Sequence, residues 1–289
     1  MQRDGVARIR RLVRVGRTWH DRARRLSRLA TSPAERAKVY ATFWRFRLMH
    51  RFGHLPGRPV SLSLAVEGSD VRCTVWDWCD LYVLKEVLGD RTYDAPGRVA
   101  PRVIVDVGAN VGMSVLFFHA RYPEAQIYAF EPDPTAFQRL QRNVGALPRV
   151  VLRNVAVGAE DGTATLFSST DVSRSSLSPR DAWDASRDEG PVDGRPVQVQ
   201  MRTLRTLLGE LGVDHVDLVK MDIEGAEWDV FPTLDWPAHV DELVGELHYG
   251  VPTERRGALT ELLRGFRVDV GPEQAGVSTF RAVREPRAA

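Results

Sequence analysis

The stretch Val103–Gly112, VIVDVGANVG, constrains the fold of this chain more than any other. Its first residues form a near-continuous apolar run, the mark of a parallel strand buried on both faces. The run ends in Asp106 and passes through Gly108, Ala109, Asn110 and Gly112 into an apolar helical segment, Met113–His119. A strand, a glycine-rich turn and a helix start suit a nucleotide-like cofactor. Glycine lets the backbone approach a ligand, and the first helical N–H groups have no intrahelical partner. A second strand, Gln126–Phe130, ends in Glu131 and Pro132. A carboxylate there can accept hydrogen bonds from two ribose hydroxyls. The turn reads G-x-N-x-G and lacks the dinucleotide pattern G-x-G-x-x-G, so no pyrophosphate needs a seat. The expected ligand carries ribose without pyrophosphate, and S-adenosylmethionine is the leading candidate.

The rest of the chain alternates strands and helices: Val150–Leu152, the helix Thr203–Leu211, Val216–Met221, Val240–Leu247, the helix Thr253–Arg264, then Phe266–Val270 and Val277–Val283. This order predicts an α/β fold with a Rossmann-like, mostly parallel sheet. A terminal hairpin adds an antiparallel edge. Added strands are expected at Gly162–Phe167 and Val197–Met201, flanking a polar stretch, Ser168–Arg195, that reads as a lid or acceptor loop. Three segments follow: a basic helical extension over 1–58, a hairpin, short helix and linker over 59–100, and the cofactor domain over 101–289. In the middle segment, Val60–Val66 and Val71–Trp76 read as the hairpin, turning at Gly68–Asp70, with a short helix at Leu81–Leu88.

The first segment holds sixteen Arg or Lys against the acids Asp4, Asp21 and Glu35, while the whole chain carries a net charge of only +2. Ile9, Leu12, Val13, Trp19, Ala23 and Leu26 recur at helical spacing among those arginines, and Ser32-Pro33-Ala34-Glu35 starts a second helix. Packing on the acidic remainder or on a second subunit is the first reading. Peripheral contact with a membrane surface is the alternative. Cys73 and Cys79 match neither a zinc spacing nor a disulfide framework, which points to a reducing cytoplasm. No apolar run approaches the roughly twenty residues of a membrane span. The basic start lacks the apolar core of a signal peptide.

A second chemical motif is Lys220-Met-Asp222-Ile-Glu224-Gly-Ala-Glu227. Lys220 and Asp222 alternate onto one face of a strand whose carboxyl end lies where doubly wound sheets bind ligands. Carboxylates there can orient a hydroxyl, take its proton or hold a metal. Glu246 and His248 end the next strand, again on one face, and a histidine is the usual general base. The base is therefore Asp222, Glu224 or His248, and a divalent metal stays open.

Taken together, VIVDVGANVGMS (Val103–Ser114), AFEPDP (Ala129–Pro134), NVAVG (Asn154–Gly158), Ser175-Ser176, VDLVKMDIEGAEWDV (Val216–Val230) and ELH (Glu246–His248) resemble the FkbM family of S-adenosylmethionine-dependent methyltransferases. The resemblance spans about residues 101–250. It implies a seven-stranded class I methyltransferase fold with the last strand antiparallel, and methyl transfer to oxygen on macrolides, other secondary metabolites and glycans. It places Asp106, Gly108, Asn110 and Gly112 around the methionine and ribose, with Ala109 and Ser114 in the same cradle. Glu131 and Pro132 fall at the ribose, Asn154 and Ala156 beside the adenine, and Asp222 near the transferred methyl. The resemblance does not identify the base. Two rival readings are an RNA methyltransferase using the basic helices and a non-catalytic cofactor-binding module. The absence of an aromatic-and-basic RNA module counts against the first, and the intact acids and glycines count against the second.

Overall fold

The structure, a computed structural model, describes residues 18–52, 58–94, 100–168, 195–234, 236–248, 255–274 and 276–285. The chain divides into two compact units, up to Asp90 and from Arg91.

In the first unit, helix α1 (18–27) and helix α2 (Pro33–Phe52) accompany a hairpin of β1 (Val60–Val66) and β2 (Ser69–Val75). Residues 9–17 of the expected first helix lie outside the described residues. Ser32 caps α2, its Oγ accepting the Glu35 N–H at 3.2 Å. The Glu35 carboxylate does not reach back to Ser32. It accepts the Ser63 N–H of β1 at 3.1 Å, tying helix to hairpin. The hairpin turns one residue earlier than the sequence suggests, because Glu67 and Gly68 both take positive φ, 51° and 80°. Two such residues make the tight turn whose twist matches paired strands, so β2 starts at Ser69. Helix α3 (Trp78–Leu84) opens on Asp77, whose carboxylate accepts the Cys79 and Asp80 N–H groups, and it runs into a wider turn, Lys85–Gly89. Cys73 and Cys79 are free thiols, and burial pushes the Cys73 thiol up to about 12. Among the described residues no helix is long and apolar enough to cross a membrane.

The second unit is built on a seven-stranded sheet. Its strands are β3 (Val103–Val107), β4 (Gln126–Phe130), β5 (Val150–Arg153), β9 (Val216–Met221), β10 (Val240–His248), β11 (Phe266–Val270) and β12 (Val277–Arg284). Their order is β11-β12-β10-β9-β3-β4-β5. Strands β5, β4, β3, β9 and β10 run parallel, and β12 is antiparallel to both neighbours. Consecutive buried residues along β3 and β9 show that both sheet faces are covered. The final pair extends the sheet as the expected antiparallel edge hairpin. Strand β12 inserts beside β10 and leaves β11 at the margin. Helix α4 (Met113–Arg121) follows β3. Helix α5 (Pro134–Val144) follows β4, its N-terminus capped by Asp133, which accepts the Thr135 and Ala136 N–H groups.

A second, three-stranded sheet joins β6 (Ala156–Val157), β7 (Gly162–Ser168) and β8 (Arg195–Arg202) in the order β6-β8-β7. Positions 169–194 of the expected lid lie outside the described residues. Helices α6 (Leu204–Glu210), α7 (Glu227–Val230), α8 (Trp236–His239) and α9 (Arg255–Leu262) complete the unit. The order reverses at β3, whose neighbours β4 and β9 lead to opposite margins. The carboxyl ends of these three strands are therefore where a ligand crevice forms.

Gly245 in β10 shows how tightly the sheet is packed. A Cβ there would lie 1.8 Å from the Met221 carbonyl oxygen of β9 and 3.0 Å from the Phe280 ring of β12. Gly245→Ala is expected to destabilise the protein by about 1–3 kcal/mol through overpacking, read as a lower midpoint in thermal unfolding. An unchanged midpoint would show that the strands can separate at no cost.

Candidate active site

The crevice begins at the turn after β3. The Gly108 and Ala109 N–H groups both donate to the Phe130 carbonyl of β4 at 3.0 Å. Gly108 has φ 79°, and a Cβ there would lie 1.8 Å from the Asp222 carbonyl oxygen. Gly112 has φ 92°, and its Cβ would meet Leu140 of α5 at 2.8 Å. The sequence reading gave these glycines to ligand approach, but what lies on the Cβ side of both is protein. Between them Asn110 sits at φ 49°, a left-handed conformation that asparagine tolerates. Its Oδ1 is buried without a hydrogen-bond partner among the described residues.

Glu131 continues from β4 and is buried. Its Oε2 accepts the Asn110 N–H at 2.8 Å and its Oε1 the Asp133 N–H at 2.8 Å. Burial outweighs these two bonds and pushes the carboxyl up to about 7. Asn154 braces this corner from outside, its Nδ2 donating to the carbonyls of Glu131 and Pro132 at 2.8 and 2.9 Å.

On the other side of β3 stands Lys220 of β9, 2% exposed. Its Nζ lies 3.2 Å from Asp106 and 3.9 Å from Asp222, and it donates to the Gly108 carbonyl at 2.6 Å. Burial disfavours its charge, but the two acids more than compensate and hold the ammonium above the ordinary lysine range. Asp106 also accepts the Ser114 hydroxyl of α4. Asp222 accepts the Tyr93 hydroxyl on Oδ2 at 2.8 Å, while its Oδ1 is buried without a hydrogen-bond partner among the described residues.

Beyond Asp222 the backbone turns sharply. Glu224 takes φ 53° and Gly225 φ 105°. The fully buried Glu227 carboxylate holds this turn, accepting the Ile223 and Gly225 N–H groups at 3.0 and 3.1 Å. His248 lies against it, Nδ1 3.0 Å from Glu227 and Nε2 3.5 Å from Glu224. Burial opposes a charge on the ring, yet the flanking carboxylates win and raise its pKa well above the ordinary imidazole value. Asp222, Glu224 and His248 bring ligand atoms within 4.8 Å of one another.

These elements surround a cleft. Gly108, Asn110, Glu131, Pro132, Ala156, Asp222 and Glu224 line it, so seven of the expected site residues meet there. Asp106, Ala109, Gly112, Ser114, Asn154, Lys220 and His248 are not lining residues; they stand behind or beside them. Sequence reasoning missed the apolar wall of Val155, Val157, Leu166 and Ile223, and it missed Tyr93. Val157 and Leu166 belong to the small second sheet, Val155 precedes it within NVAVG, and Ile223 follows β9. Tyr93 lay in a stretch read only as a Pro/Gly linker.

His248 has a defined pH signature. A pKa raised in the folded state stabilises fully below the unfolded value of 6.5, and that stabilisation is lost only as pH rises through the folded value. The ring carbons and protons of His248 are therefore expected to keep imidazolium NMR shifts above about pH 7, where a free histidine is mostly neutral. Neutral-ring shifts there would show that the two glutamates do not hold the proton.

A family model described as the methyltransferase FkbM domain matches residues 106–267, more than half of the chain. The AMB antimetabolite synthetase AmbE of Pseudomonas aeruginosa is 31% identical over 227 residues, covering 65% of this chain. The chain spans only 11% of that relative's length. The 2-O-methyltransferase NoeI of Sinorhizobium fredii is 34% identical over 139 residues, or 44% of this chain and 55% of that protein. The 31-O-demethyl-FK506 methyltransferase FkbM of Streptomyces tacrolimicus is 30% identical over 223 residues, covering 67% and 83%. The matched stretch carries nearly all of the cleft, from the strand-end Asp106 to the acids beyond β9, and on that ground the chain belongs to the FkbM methyltransferase family.

Proposed function

We propose that this methyltransferase moves a methyl group from S-adenosylmethionine to a hydroxyl oxygen of a small-molecule secondary metabolite or a glycan. The observation that carries this reading is Glu131. Its carboxylate lines the cleft one strand from the glycine turn, and each oxygen already accepts one backbone N–H. A carboxylate oxygen has a second lone pair, so Glu131 can also receive a pair of ribose hydroxyls. The remaining lining fits the same ligand. Val155, Val157, Leu166 and Ile223 offer an apolar face to a flat base, and the Asn110 Oδ1, unpartnered among the described residues, lacks a donor that a polar ligand can bring.

The cofactor supplies a methyl group already activated on a sulfonium. The protein aligns the reactants and manages a proton. The new bond joins the acceptor oxygen to the methyl carbon as the sulfur–carbon bond breaks, and the hydroxyl proton must leave. Asp222 and Glu224 line the cleft and can orient the hydroxyl and take that proton. The carboxylates on the cleft also favour a cationic ligand. With His248 held protonated, the base falls to Asp222, with Glu224 beside it. Transfer to oxygen is further supported by the names of two relatives, a 2-O-methyltransferase and a 31-O-demethyl-FK506 methyltransferase.

Two measurements test this function. In calorimetric titration with S-adenosylmethionine, Glu131→Ala is expected to weaken binding by about 2–3 kcal/mol, the loss of charge-assisted hydrogen bonds. The same titration on the unaltered protein should strengthen as pH rises through about 7, because Glu131 must be ionised to accept the hydroxyls. Affinity indifferent to both changes would remove Glu131 from the site. The second measurement is single-turnover transfer of labelled methyl to a panel of hydroxyl-bearing macrolactones and hexosides. Asp222→Asn should keep cofactor affinity and lower transfer by roughly 10²–10⁴-fold. Wild-type turnover in that variant would end its role as base, and cofactor binding without transfer to any hydroxyl would support a non-catalytic module.

A further inference from the structure

We infer that Tyr93 is a positioning residue for Asp222. It holds the Oδ2 carboxylate oxygen and so fixes the orientation of the Asp222 side chain on a residue that lines the cleft. The inference rests on the proposed role of Asp222 and adds a residue thirteen positions before the family-matched stretch begins at Asp106.

The geometry around Asp222 is asymmetric. Its backbone N–H is fixed to the Val107 carbonyl at 3.1 Å, so the residue cannot shift along the strand end. Its side chain can still rotate, and two groups compete for Oδ2. Lys220 stands 3.9 Å away, beyond hydrogen-bond reach, because its ammonium is committed to Asp106 at 3.2 Å and to the Gly108 carbonyl at 2.6 Å. Tyr93 stands at 2.8 Å with its hydroxyl donating. The same tyrosine ring lies 5.2 Å from the Lys220 ammonium, within cation–π range. Tyr93 is 5% exposed, so packing fixes the direction of its hydroxyl. It therefore does two things at once. It covers the cation that would otherwise draw Asp222 away from the cleft, and it occupies the oxygen facing that cation.

Oδ1 is what remains. It is shielded by protein, without a hydrogen-bond partner among the described residues, on a residue that lines the cleft. A buried carboxylate oxygen left unpaired is costly, so the hydrogen bond from Tyr93 to the other oxygen decides how the carboxylate is presented to an arriving hydroxyl. The proton of that hydroxyl must leave the acceptor oxygen as the oxygen–methyl bond forms. Removing the Tyr93 hydroxyl leaves Oδ2 free to turn towards Lys220. The carboxylate then leaves the orientation that the acceptor needs.

The test compares the full-length protein with Tyr93→Phe, which keeps the ring and its packing and removes only the hydroxyl. The first readout is the carboxyl carbon resonance of Asp222 in protein labelled at aspartate, assigned by its disappearance in Asp222→Asn. Tyr93→Phe is expected to move that resonance beyond its line width while thermal stability and calorimetric affinity for S-adenosylmethionine stay close to wild type. The second readout is single-turnover methyl transfer to whichever macrolactone or hexoside takes label. Tyr93→Phe should lower the rate roughly 10–100-fold, the size of one hydrogen bond to a charged group. It should have little further effect in the Asp222→Asn background, since a residue acting through Asp222 cannot act once Asp222 is altered. An unmoved resonance overturns the inference, and so does an equal rate loss in both backgrounds. If the wild type fails to bind S-adenosylmethionine or to label any hydroxyl, the proposed function fails instead, and the resonance alone still decides whether Tyr93 holds Asp222.

Discussion

The buried ammonium of Lys220 is the interaction on which the rest of the site depends. It joins groups from two adjacent strands: Asp106 and the Gly108 carbonyl from β3, and Asp222 just beyond its own strand β9. Such a cation gains little net stability from its partners, because leaving water costs nearly what the pairing returns. Its effect is on geometry. Without it, Asp106 would be an uncompensated charge at 0% exposure, a loss of about 3–5 kcal/mol by analogy with other broken buried pairs. With it, the glycine turn and the first acid beyond β9 are held in one frame. The close approach of Gly108 to the Asp222 carbonyl, which admits no Cβ, is the backbone counterpart of the same clamp.

A second arrangement of the same kind lies one strand further on. Glu227, fully buried, accepts two backbone N–H groups of the turn at Ile223–Gly225 and pairs with His248. Each frame sets one buried charge against carboxylates and leaves an acid, Asp222 or Glu224, facing the cleft. The mobile reactants meet a surface whose own charges are already anchored from behind. That is the condition under which electrostatic stabilisation needs no rearrangement during reaction.

Much of this was legible in the sequence because it depends on local chemistry. The apolar runs of β3, β4 and β9, the Asp133-Pro134 helix start and the strand-end acids are patterns of a few residues, and the structure holds them at nearly the same positions. The turn glycines were legible as a feature, though not for their reason. Their packing partners, Asp222 and Leu140, are distant in sequence. Tyr93 was illegible for a stronger cause: it meets Asp222 across 129 positions, and one aromatic among prolines and glycines carries no periodicity. The apolar wall was missed because its residues come from three separate segments, NVAVG, β7 and the turn after β9, which only the fold brings together. The direction of His248 was likewise hidden. A histidine alone suggests a base, and only the flanking glutamates raise its pKa above the ordinary imidazole value.

The insertion of β12 between β10 and β11 has a consequence for assembly. Strand β10 is buried along most of its length and must pair on one side with residues 277–283, well downstream of itself. During synthesis, strands β3, β4, β5, β9 and β10 can align in parallel while the partner of β10 is still unmade. In that interval β10 is an open apolar margin, the kind of edge that recruits strands from other chains. Strand β11, which appears sooner, cannot relieve it, because β11 touches the sheet only through β12. Completion of the fold therefore waits on the last strand, and the growing chain carries its greatest hazard of misassociation just before that strand arrives.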